Sequence, residues 1–67
     1  MIALFLSPDQ FQEGDIIFSS SKYVGYKIEK ITSETFDLIE FSNGKKRQFT
    51  AKKNYFAPII FSVCRKE

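Results

Sequence analysis

Sixty-seven residues with one cysteine and no histidine leave room for one small domain, and they exclude an internal disulfide and any Cys/His zinc site. A net charge of +2 with 43% hydrophobic residues does not describe a disordered tail, and no stretch reaches the roughly 18–20 apolar residues of a membrane-spanning helix. A chain of this size buries only about 60% of the surface its unfolded form exposes, so packing alone must hold it.

The apolar set consists of eight Phe, eight Ile and three Tyr against three Leu and three Ala. Aromatic and β-branched side chains suit a pleated, half-buried surface, whereas Leu and Ala favour helices. The composition therefore predicts an all-β domain spanning 1–67, with its core at about 13–63.

The chain opens on an apolar segment, residues 1–8, in which Ile2–Leu6 is closed by Ser7-Pro8-Asp9. It lacks the basic n-region of a signal peptide and is shorter than a signal core of about 7–15 residues. Together with the lone thiol of Cys64, this predicts a cytoplasmic protein that does not engage a membrane. The segment itself has three candidate homes: an extra edge strand, the open end of a barrel, or a second subunit in a homodimer through residues 2–6.

Short apolar runs then recur between turn signals at intervals of about 8–12 residues, the rhythm of a small sandwich or barrel. Asp15-Ile16-Ile17-Phe18 after Gly14 is the first strand of that core, and Ser19-Ser20-Ser21-Lys22 a polar loop. From Tyr23 to Ile31, Val24, Tyr26 and Ile28 alternate with Lys27 and Glu29 as on a half-buried strand. Ile31 falls out of that register, which predicts either a bulge near Lys30 or a face change close to the strand end. Gly25 within the strand predicts a sharp bend.

Thr32-Ser33-Glu34 is a turn, and Phe36–Phe41 the next strand. Asn43-Gly44 tolerates the positive φ angles of a two-residue hairpin turn. Its returning strand runs from Lys45 to Ala51, a helical turn covers 52–56, and a last strand runs from Ala57 to Val63. Five short antiparallel strands with one helical turn before the last predict an SH3-like barrel. The tight Asn-Gly hairpin leaves no room for the helix an OB-fold carries between its third and fourth strands, which ranks that fold second.

Three stretches carry a family resemblance: Gly14-Asp15-Ile16-Ile17, Tyr23-Val24-Gly25-Tyr26-Lys27-Ile28 and Ile39-Glu40-Phe41-Ser42-Asn43-Gly44. With a closing strand at Ala57-Pro58-Ile59-Ile60, they resemble the Tudor-like group of SH3-like barrels across residues 13–60. The resemblance implies an aromatic site at the strand ends, at Phe18, Tyr23, Phe41 and Asn43, and with Tyr26 these residues form a candidate aromatic-lined loop site. In that family such rings hold a methylated lysine or arginine by cation–π attraction. This chain departs from the pattern: it has no Trp, Asn43 stands where the hairpin acid is expected, and Lys45 adds a repelling charge.

Catalysis finds little support, since the commonest general base near neutral pH is missing. Asp15, Asp37 and Glu40 lack the spacing of a carboxylate pair or a metal cage, and three glycines make no phosphate loop. The expectation is a non-enzyme without metal or cofactor.

Charge distribution is more informative than net charge. Residues 1–44 carry three bases against seven acids, a net of −4, and residues 45–67 carry seven bases against one acid, a net of +6. Lys45, Lys46, Arg47, Lys52 and Lys53 fall within nine residues, followed by Tyr55. Such a stripe suits phosphates, with an aromatic ring to stack a base, which makes nucleic acid the leading partner. An acidic protein surface is the alternative partner for the stripe, and the alternative function is a protein-interaction adaptor or inhibitor that docks through the aromatic-lined loops or by strand addition.

Overall fold

In the computed structural model, which describes residues 1–19 and 23–66, the chain is all-β. The strands are β1 (Ile2–Leu6), β2 (Ile16–Phe18), β3 (Val24–Ile31), β4 (Thr35–Ser42), β5 (Lys45–Lys52) and β6 (Phe61–Arg65). Single 3-10 turns occupy Pro8–Gln10 and Lys53–Tyr55, the latter close to the expected helical turn. All six strands form one antiparallel sheet in the order β1-β6-β2-β3-β4-β5.

The sheet does not close, and β1 and β5 are its edges. The apolar N-terminal segment is thus an extra edge strand, with Leu4 opposite Val63 and Leu6 opposite Phe61 on β6. Part of the expected polar loop, residues 20–22, lies outside the described residues. No helix among the described residues is long and apolar enough to cross a membrane.

The alternation of β4 sets the two faces of the sheet. Phe36 and Leu38 are buried, so Asp37, Ile39 and Phe41 point the other way. Directly opposed residues share a face, which carries the same division to Phe49 and Ala51 on β5 and to Ile28 and Ile31 on β3. The expected bulge falls at Glu29, where the register shifts between Ile28 and Lys30 and returns Ile31 to the inner face. Backbone groups beside it are taken up by the segment before β2. Gly14 N–H donates to Ile28 O at 2.7 Å, and the Glu13 carboxylate accepts from Ile31 N–H at 3.0 Å.

The hairpin between β4 and β5 turns on Asn43 and Gly44, at φ 51° and 79°, as the sequence predicts. Gly25 pairs with Phe18 and Phe41 and keeps the register on both sides without a shift. One expectation needs correction. The last strand does not start at Ala57. Pro58 has no N–H to donate, Ile59 N–H closes a tight turn onto Ala57 O at 2.8 Å, and pairing resumes only at Phe61.

The core combines Ile17, Ile28, Phe36, Leu38, Ala51 and Val63 with Phe11 and Phe56, which the turns supply. Phe11 lies 6.3 Å from the Phe36 ring and 6.0 Å from Phe61, and Phe56 lies 5.8 Å and 5.6 Å from the same two rings. Since β4 and β6 stand three places apart in the sheet, these two rings draw its ends inward around one core.

Asp15, 1% exposed, is the buried polar residue among those described. Its carboxylate accepts two bonds from Arg65, both at 2.9 Å, and one from Gln12 N–H at 2.8 Å; Arg65 also donates to Gln10 O at 3.1 Å. Burial pushes the Asp15 carboxyl up, but the Arg65 and Gln12 hydrogen bonds and the guanidinium charge outweigh it, so the group titrates below its ordinary value. A depressed carboxyl contributes stability above the unfolded value of about 3.9, and loses it as pH falls through the folded value. Urea unfolding should therefore give flat stability near neutrality and a decline below about pH 4 that Asp15→Asn flattens. Arg65→Ala leaves the buried carboxylate without its cation and should lower the urea midpoint at pH 7.

Candidate nucleic-acid interface

Strand alternation divides the basic stripe. Lys46, Gln48, Thr50 and Lys52 oppose Phe41, Ile39, Asp37 and Thr35 and face outward, whereas Lys45 and Arg47 lie on the same side as Phe49. Lys53 leaves the strand altogether, and its Nζ sits over the Phe36 ring at 4.4 Å.

On the inner side of the hairpin end, Arg47 pairs with Glu40 at 3.3 Å and lies 4.4 Å over the Phe49 ring. Tyr55 packs edge-on against Phe49, Tyr26 and Phe56. The Tyr26 and Tyr55 hydroxyls meet at 3.1 Å. Burial, the Tyr55 hydrogen bond and the Glu40 charge hold the Tyr26 phenol well above its ordinary value, so it stays neutral. Arg47 and Tyr55 thus lie on the side of the sheet opposite Lys46, and both remain exposed to solvent there.

The expected aromatic site also separates. Phe18 and Phe41 face outward, Tyr26 faces the core, and Asn43 sits in the hairpin turn, its N–H donating to Tyr23 O at 3.3 Å. Tyr26, on the opposite face of the sheet, cannot share a cation with Phe18 and Phe41.

What the outer face does bring together is a row running Phe18, Gly25, Phe41, Lys46 across β2, β3, β4 and β5. Phe18 is 45% exposed, and Lys46 Nζ stands 5.8 Å from the Phe41 centroid. The neighbouring row places Lys27 between Ile16 and Ile39, and Lys30 lies opposite Asp37 farther along. Asp37, which accepts from Thr50 Oγ1 at 2.8 Å, is a carboxylate on this face, and exposed Glu29 stands at the bulge beside Lys30. Lys27 and Lys30 belong to the half of the chain that is acidic overall, and only the register reveals that they join Lys46 and Lys52.

A groove of about 670 Å³ opens at the far end, floored by Phe11, Phe36 and Phe56 and rimmed by Pro8, Lys53 and Pro58. Its floor is the core itself. No three acidic or cysteine side chains among the described residues group so as to hold a metal ion. Compared with known protein families, curated proteins and solved structures, the chain matches none.

Proposed function

We propose that this chain is a non-catalytic binding module for nucleic acid, engaged through the outer face of β3–β5. The observation that carries the reading is the set of lysines Lys27, Lys30, Lys46 and Lys52 on the same face as outward-facing Phe41, with Asp37 and the bulge residue Glu29 as the acids beside them. Lysines held on a rigid sheet can replace the counterions along a phosphate backbone, and an adjacent ring offers a base a face to stack on. The strands β6-β2-β3-β4-β5, with a 3-10 turn before β6, support reading the domain as a Tudor-like variant of the SH3-like barrel with β1 added.

One further observation favours a second reading, self-association by strand addition. The edge strand β5 carries Lys45, Lys46, Arg47 and Lys52, which guard it against pairing with another copy. The other edge, β1, has no charge in Ile2–Leu6, and its Phe5 is 75% exposed. Two copies of β1 can meet antiparallel about a two-fold axis without like-charge contact.

For the first reading, anisotropy titrations with a labelled single-stranded oligonucleotide should show affinity falling steeply with salt. Lys27→Ala and Lys46→Ala should each reduce the log–log slope by about 0.7, the release from one single-strand phosphate. Arg47→Ala should leave it unchanged. Absence of binding at low salt, or full affinity in the Lys27/Lys46 double variant, contradicts the reading. For the second, sedimentation equilibrium should find a dimer that Ala3→Lys converts to monomer; a wild-type chain monomeric at the highest soluble concentration refutes it.

A further inference from the structure

Resting on the nucleic-acid reading, we infer that the gap over Gly25 between Phe18 and Phe41 is a stacking slot for one unpaired nucleobase. Gly25 stands directly between these two residues in the cross-strand row, and all three positions face outward. Two inter-strand spacings of about 4.8 Å separate Phe18 from Phe41 by about 10 Å. A planar ring lying over Gly25 would then sit about 5 Å from each, within the roughly 4.5–7 Å range of favourable ring contacts.

The glycine is not required by its backbone. Its φ is not in the left-handed region, and a Cβ built there would meet only Ile17 O, at 3.4 Å, an ordinary contact. A β-branched residue would fit a central strand better, because glycine packs nothing and weakens it. What glycine provides here is a bare strip of backbone between two rings.

Charge decides which planar ligand belongs in the slot. Lys46 stands at the end of the same row beyond Phe41, and Lys27 in the next row on the same strand as Gly25. A base over Gly25 therefore has a cation beyond one flanking ring and another alongside, where phosphates of a strand crossing the sheet would lie. The occupant is a base of single-stranded DNA or RNA. A duplex keeps its base faces stacked inside and offers the slot nothing.

The test compares three labelled probes of about 12 nucleotides at low salt: a single strand, a duplex, and a single strand of abasic sugar-phosphate. The inference predicts that the single strand binds about tenfold or more tightly than the abasic strand, and more tightly than the duplex. Phe18→Ala should remove about tenfold of single-strand affinity and leave abasic binding unchanged. Gly25→Val keeps both rings, fills the strip and should do the same. Equal binding of the abasic and base-bearing strands overturns the slot while leaving the lysine surface standing. Binding to none of the probes overturns the nucleic-acid reading and the slot with it.

Discussion

A single sheet can keep only one of its faces dry, and every strand of this protein submits to that constraint. Side chains alternate with a period of two, so burying Phe36 and Leu38 commits Asp37, Ile39 and Phe41 to the outside. Six strands and two ring-bearing turns supply one core, built on Ile17, Ile28, Leu38 and Val63, each with no exposed surface. With eight phenylalanines in so short a chain, some must fall on the outer face. Phe5, Phe18 and Phe41 are the ones the register leaves there.

The Asp15–Arg65 pair lets so thin a core hold both ends of the chain. It joins the segment before β2 to the last residue of β6, and a further bond from Arg65 reaches Gln10 beside the first 3-10 turn. Phe11 is carried into the core by that same segment. A guanidinium suits the place because its fixed fork bonds two carboxylate oxygens while donating onward. The pair thus fixes where β6 can run, and β6 in turn gives β1 its partner.

Local features were legible in the sequence wherever one residue's chemistry decides them. Asn43-Gly44 prescribes its own turn, the misfit of Ile31 marks the bulge, and Pro58 marks an interruption, although it delays β6 to Phe61 instead of opening it. Long-range partners were not legible. Nothing in the run from Lys45 to Lys53 indicates that Arg47 meets Glu40 or that Lys53 covers Phe36, because those contacts depend on which strands lie side by side. The same holds for Arg65, which reads as one more basic residue until Asp15 is placed beside it. The candidate surface was half visible: Lys46 and Lys52 belong to an evident basic stripe, while Lys27 and Lys30 join it only through the β3–β4–β5 register.

The central claim is that the outward face of this sheet, and not its edges or its end groove, receives a nucleic-acid strand. Amide chemical-shift mapping during titration with a short single-stranded oligonucleotide tests it most directly. The account predicts changes concentrated at Phe18, Gly25, Lys27, Phe41 and Lys46, with Asp15 and Arg65 unmoved. Changes centred on β1 or on the groove over Phe36 and Phe56, or none at saturating oligonucleotide, would contradict it.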